Sequence, residues 1–199
     1  MRFAERVLGD ARLYDRVQRI FGLGKLRARV SSVIASLEPG LIVDVGGGTA
    51  NFYAAVPAGF TYVVLDVDEK KLARAREKYP AIRTVLADAT TLPLADSEAD
   101  YTLCIDVSHH LTDDEFERLV AGLGRITRQA LIFVDALDVP RLRSKLLWAI
   151  DRGSHSRSLD AVRAALERSF TLERFETFEI QHAYVLAVAR PRGAPVDER

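Results

Sequence analysis

Three consecutive glycines follow an apolar run in the segment Leu41-Ile-Val-Asp-Val-Gly-Gly-Gly-Thr-Ala-Asn-Phe52. Glycine lets the backbone turn tightly and approach a ligand, because it lacks a Cβ and tolerates positive φ. A strand that ends in such a turn and passes into a helix offers unpaired N–H groups there. Asp66 ends the next apolar run, about 20 positions beyond Asp44, where a carboxylate accepts from the hydroxyls of a nucleoside ribose. Capping the following helix is the simpler alternative for Asp66. A third acid lies in Ala87-Asp88-Ala89, just past the third apolar run. Together Asp44, Asp66 and Asp88 place three carboxylates on one sheet edge, the edge where open α/β sheets bind ligands. The strict dinucleotide spacing G-x-G-x-x-G is broken, since Asn51 holds its third position.

Other residues suit the chemistry of a substrate. His109 and His110 follow the fourth apolar run, and an imidazole at that edge can take a proton from a hydroxyl or amine. The alternative is that one of them packs against, or caps, the helix opening at Thr112. Past the fifth run, Arg141, Arg143, Lys145, Arg152 and Arg157 stand against Asp151 alone. Arg152 and Arg157, flanking Gly153, suit a carboxylate or phosphate on a substrate. A solvated basic helix is the plainer reading of that stretch, and Trp148 reads as core. Cys104 is the only cysteine, which excludes an internal disulfide or a Cys-based zinc cage. Its mid-strand position predicts a buried, inert thiol. No metal site is expected.

These residues need a scaffold, and the apolar runs supply one. Leu41–Val45, Thr61–Asp66, Ile82–Leu86, Tyr101–Asp106 and Ala130–Asp135 are near-continuous strands separated by helical patterns. That alternation predicts a parallel sheet covered on both faces. Asp68 is placed to cap a helix from Glu69 to Tyr79, which Pro80 stops. Thr112-Asp-Asp-Glu115 reads as a capping box opening a helix to about Ile126, and Ser158 as the cap of a helix to about Ser169. Two further helices, about Ala11–Phe21 and Lys25–Leu37, precede the first strand. At the other end Phe170–Ile180 and His182–Arg190 are separated by Gln181 alone. A link that short permits only an antiparallel hairpin, placed at one edge of the sheet. The tail 191–199 is expected to be disordered.

With 199 residues the chain is about one domain long. Hydrophobic residues make up 48% and charged ones 28%, an ordinary globular composition. Twenty-eight basic residues balance 28 acidic ones, so the electrostatic footprint of a nucleic-acid binder is missing. The longest uncharged apolar run, Ala183–Ala189, is far too short to span a bilayer. The charged N-terminus has no secretory h-region. A cytoplasmic protein is expected; its oligomeric state is not legible.

Asp44-Val-Gly-Gly-Gly-Thr-Ala50, Asp66, Asp88-Ala89 and Asp106-Val-Ser-His-His-Leu111 together resemble the class I S-adenosylmethionine-dependent methyltransferases, particularly their small "type 11" branch. The resemblance covers Leu41 to Arg190 and implies a single Rossmann-like, doubly wound, seven-stranded α/β sheet, mostly parallel with a C-terminal antiparallel hairpin. It divides the chain into an N-terminal helical cap or lid (1–40), the cofactor-binding domain (41–190) and the tail (191–199). It implies that Asp44 and the backbone of Gly46, Gly47 and Gly48 face the methionine part of the cofactor. Asp66 then accepts from the ribose hydroxyls, Val67 packs on the adenine, and Asp88 with the Ala89 backbone reads the adenine edge. Asp106 closes the pocket beneath the sulfonium, and Tyr14 is the aromatic of the lid. Ala50 departs from the family's acid-x-G-x-G-x-G motif, a methyl that costs little where the local φ is negative. The implied activity is methyl transfer to an oxygen or nitrogen, less readily a carbon, of a small molecule, with S-adenosylhomocysteine as product. A cluster of acids also suits a cationic sulfur and ammonium better than a pyrophosphate. The rival readings are a non-catalytic cofactor-binding or regulatory subunit of the same fold and a nicotinamide-dependent oxidoreductase, with a macromolecular target a lesser one.

Overall fold

A computed structural model describes residues 23–138, 155–180 and 183–193. Seven strands form one sheet: β1 (Leu41–Val45), β2 (Thr61–Asp66), β3 (Arg83–Leu86), β4 (Ala99–Ile105), β5 (Thr127–Ala136), β6 (Phe170–Glu179) and β7 (Ala183–Pro191). Their spatial order is β3-β2-β1-β4-β5-β7-β6. The first five pair in parallel, while β7 runs antiparallel to both β5 and β6. The closing pair is therefore a hairpin whose second strand inserts beside β5. Strand order reverses between β1 and β4, so two connections leave this point in opposite directions and open a crevice at the strands' carboxyl ends.

Among the described residues four helices cover the sheet: α1 (Leu23–Ile34), α2 (Glu69–Lys78), α3 (Asp113–Ile126) and α4 (Leu159–Ser169). Alternation along β1 divides the core. Val43 and Val45 face one side with Phe133, packing on Phe116 and Leu119 of α3 and Leu166 of α4. Ile42 faces the other side with Val64 and Ile132, against Val30 and Ile34 of α1 and Leu72 of α2. Each large apolar side chain so buried contributes about 1.5–3 kcal/mol. All three expected caps form: Asp68 accepts from the Lys70 N–H, Ser158 from Ala161, and Thr112 and Glu115 bond reciprocally as a capping box. Among the described residues no helix is long and apolar enough to cross a membrane.

Several expectations need correction. The helix expected directly after the glycines is a single 3-10 turn, Tyr53–Ala55. Pro57 removes a backbone donor and Gly59 takes φ +99°, so the segment breaks before a second turn can form. In α1, Leu26, Val30, Val33 and Ile34 are all buried. Pro191 pairs with Phe170, and the Arg192 N–H donates to Ser169, so the chain stays attached beyond the expected tail boundary. The expected Ala11–Phe21 helix and residues 194–199 lie outside the described residues.

Candidate active site

The crevice above β1, β2 and β4 is an open cleft of about 390 Å³, within the range of small-ligand sites. Asp44, Gly46, Gly47 and Gly48 line its floor. Asp44 is 1% exposed and accepts a 2.6 Å hydrogen bond from the Tyr62 hydroxyl at Oδ2. Burial pushes its carboxyl up to about 7; the Tyr62 bond pulls it down and the neighbouring Asp66 adds to the rise. The glycines are required sterically. A Cβ on Gly47 would collide with the Asp44 carboxylate, and one on Gly46 with the Val107 side chain. Gly46 and Gly48 also hold φ of +74° and +55°.

Asp66 does more than cap a helix. Its Oδ2 accepts from the Gly48 N–H at 3.0 Å and its Oδ1 from the Asp68 N–H at 2.8 Å. One carboxylate thus ties the glycine turn to the start of α2, and each oxygen keeps a lone pair for a ligand hydroxyl. Beside it Val67 stands 72% exposed on the cleft lip, an apolar side chain left free to cover a ring. Asp88 and Ala89 form the adjoining wall. Asp88 Oδ1 accepts from both the backbone and the hydroxyl of Thr90, which hold its carboxyl below the usual range. Asp106 lines the far wall with φ +56°. Its N–H donates to the Val134 carbonyl, so the backbone kinks where β4 ends.

The two histidines separate. His110 lines the cleft; desolvation by burial, with His109 adjacent, lowers its imidazole to about 4. It is neutral at physiological pH, with a lone pair to offer. His109 is 3% exposed and lies beneath it, Nδ1 2.5 Å from Asp135 Oδ1. The Cys104 thiol is buried and pushed well above its ordinary pKa by desolvation, then by Asp135, Asp44 and Asp106.

Arg157 is engaged by its own chain. It is 8% exposed, donates to the Ser108 and Leu111 carbonyls at 2.8 Å, pairs with Asp113 and lies over the Phe116 ring at 4.4 Å. Its guanidinium staples the Ser108–Leu111 turn to the start of α3. Tyr14 and Arg152 lie outside the described residues. Sequence reasoning passes over Tyr62, Lys71 and Asp135. Asp135 has a signal: like Asp66 and Asp106 it closes a β-branched run at the carboxyl edge. Tyr62 and Lys71 have none, since only the fold turns them toward Asp44 and the cleft.

Ala50 has φ +59°, so the condition under which its methyl costs little is not met. The strain of a left-handed alanine is about 1–2 kcal/mol. Its methyl is fully buried in the α1–α2 side of the core, and burying one carbon there recovers about 0.8 kcal/mol.

The donor set fits a cation-bearing nucleoside. Asp44, Asp66, Asp88 and Asp106 line the cleft, and among the described lining residues Lys71 is the only lysine or arginine. The collision that any Cβ on Gly47 would meet leaves the ligand's approach to bare backbone. A pyrophosphate lacks its anion site, because no helix of more than one turn begins at the glycines.

Residues 42–130 match the family model described as a methyltransferase domain. Fold and acid set agree with that match, and together they support a class I S-adenosylmethionine-dependent methyltransferase domain with S-adenosylmethionine as its cofactor. An uncharacterized methyltransferase of Synechocystis, sll0829, is 31% identical over 116 residues, covering 57% of this chain. The match spans about half the length of that relative, 54%. Among solved structures, the PH0226 protein of Pyrococcus horikoshii superposes with TM-score 0.71 at 20% identity, over 89% of this chain and 91% of its own. Magnesium protoporphyrin IX methyltransferase of Synechocystis, solved with bound S-adenosylhomocysteine, gives 0.70 at 20% identity over 87% of each chain. At these identities the superpositions show a shared fold.

Proposed function

We propose that the protein transfers a methyl group from S-adenosylmethionine to an oxygen or nitrogen of a small molecule, releasing S-adenosylhomocysteine. The observation that carries this reading is that the neutral His110 imidazole and the Asp44, Asp66 and Asp106 carboxylates line one cleft. In this reading Asp44 and the Gly46–Gly48 backbone hold the methionine part. Asp66 accepts from the ribose hydroxyls, Val67 covers the adenine, and Asp88 with the Ala89 backbone reads its edge. Asp106 lies beneath the sulfonium, with Tyr14 closing the lid and Arg152 and Arg157 as the cations for an anionic acceptor.

The bound cofactor supplies a methyl activated by a positive sulfur. The chain supplies alignment: a held acceptor turns a bimolecular displacement into an intramolecular one. His110 accepts the acceptor's O–H or N–H and so points a lone pair into the cleft. With a pKa of about 4 it is a weak base, so it takes the proton late, as the new bond makes the acceptor acidic. Carbon acceptors offer no such donor, which is why oxygen and nitrogen are favoured.

Calorimetric titration with S-adenosylmethionine, S-adenosylhomocysteine and NADH, on wild type and Asp66→Ala, tests the cofactor half. Binding of the two sulfur compounds only, weakened at least tenfold in Asp66→Ala, is expected; NADH binding alone refutes the reading. An acceptor screen by S-adenosylhomocysteine release tests the rest, with His110→Ala expected to slow turnover by about 10²-fold or more. Binding with no turnover on any acceptor points to a cofactor-binding or regulatory module.

A further inference from the structure

Beneath the cleft wall lies a buried carboxyl–imidazole pair that the proposed reaction does not use. Asp135, near the end of β5, is 1% exposed, and His109 is 3% exposed. Neither lines the cleft. Asp135 Oδ1 meets His109 Nδ1 at 2.5 Å, and its Oδ2 accepts from the Ser108 N–H at 2.6 Å. A longer bond reaches Oδ2 from the His109 N–H, at 3.3 Å. The carboxylate therefore grips both the backbone and a ring of the Ser108–His110 turn. The His109 and His110 rings then lie 4.1 Å apart between centroids.

Burying a carboxylate is costly unless hydrogen bonds and an opposite charge offset it. Here the Ser108, His109 and Ala136 N–H groups and the His109 ring supply that offset, so the site is built around the acid. We infer that Asp135 and His109 are positioning residues, a buried dyad that fixes the turn and holds the His110 imidazole toward the acceptor side of the cleft. The inference rests on the proposed role of His110. It makes Asp135 part of the machinery although it touches no ligand.

The electrostatics agree with the geometry. Burial pushes the Asp135 carboxyl up, but the His109 charge and the bonds from His109, Ser108 and Ala136 outweigh it and hold the group below its usual range. Around His110, His109 on the same turn and Lys71 on α2 disfavour a further positive charge, while Asp135 on β5 favours it. Asp66, Asp88 and Asp106 line the same cleft. Desolvation first, and the adjacent His109 second, keep the His110 imidazole neutral.

The test needs no acceptor. His109→Asn keeps an amide N–H for Asp135 but removes the ring and its charge. The His110 imidazole signals, followed by NMR from pH 3 to 8 on the full chain, are expected to titrate about half a unit or more above wild type. In Asp135→Asn the Ser108 and His109 amides are expected to lose about tenfold or more of their protection against hydrogen exchange. An unchanged His110 midpoint in a folded His109→Asn protein overturns the inference, as does unchanged protection in Asp135→Asn. If one variant does not fold, the other decides. S-adenosylhomocysteine titration of the same samples is expected to stay within about threefold of wild type, because Asp44, Asp66 and Asp88 are untouched. Failure of wild type to bind refutes the methyltransferase reading while leaving both NMR readouts intact.

Discussion

The Tyr62 hydroxyl donates to Asp44 Oδ2 at 2.6 Å across the β1–β2 pair, with both side chains buried. The pair fixes the carboxylate over the glycine turn, and burial brings its pKa to about 7. Binding of a cationic ligand requires the ionised form. Affinity for S-adenosylmethionine is therefore expected to rise about tenfold between pH 6 and pH 8. Calorimetry across that range checks it, and a flat wild-type profile contradicts it.

The same group acts on stability with the opposite slope. Its folded pKa lies above the unfolded value near 3.9, so the folded chain holds a proton that the unfolded chain has released. Its contribution is full below about pH 4 and is lost as the pH rises through about 7. Tyr62→Phe removes the bond that lowers this pKa. Its binding midpoint is expected to move to higher pH, with weaker cofactor affinity at pH 7, by the same titration.

Gly47→Ala drives a Cβ into the Asp44 carboxylate. Gly48→Ala meets only ordinary contacts but must hold φ +55°, a strain of about 1–2 kcal/mol. Gly47→Ala is expected to abolish S-adenosylhomocysteine binding and Gly48→Ala to keep a folded, less stable protein. Equal effects of the two in denaturation and binding contradict the steric account.

Ala50 separates strain from burial. Glycine there relieves about 1–2 kcal/mol of left-handed strain. It loses about 0.8 kcal/mol of methyl burial and about 0.4–1 kcal/mol through the freer unfolded chain. Ala50→Gly is therefore expected to change stability by less than about 1 kcal/mol in urea denaturation, whereas the β-branched Ala50→Val costs more than about 2 kcal/mol.

Arg157→Met removes the staple of the Ser108–Leu111 turn while keeping an apolar stem over Phe116. Three carbonyls, of Ser108, Leu111 and His155, lose a charged donor, a loss of about 2–4 kcal/mol by thermal or urea unfolding. Asp113→Ala is expected to cost less than about 1 kcal/mol, because that carboxylate is 90% exposed. Anion binding by wild type that vanishes in Arg157→Met supports the substrate-contact role given to Arg157 by sequence alone.

The sequence by itself determined the elements and the acids. Period and β-branched content mark each parallel strand, the caps at Asp68, Thr112 and Ser158 are local, and a link too short for a crossover, residues 180–182 between β6 and β7, forces a hairpin. Asp44, Asp66, Asp88 and Asp106 are legible because each stands in or just past an apolar strand, and parallel strands deliver their carboxyl ends to one edge. The segment after the glycines departs from its expected helix, because Pro57 and Gly59 cut it to a single turn. Only the tertiary structure distinguished His109 from His110, whose rings lie against each other, since the β5 carboxylate decides which one is buried. Only it gave Arg157 to the turn and Ala50 a positive φ, because local sequence does not encode which neighbours a loop will meet.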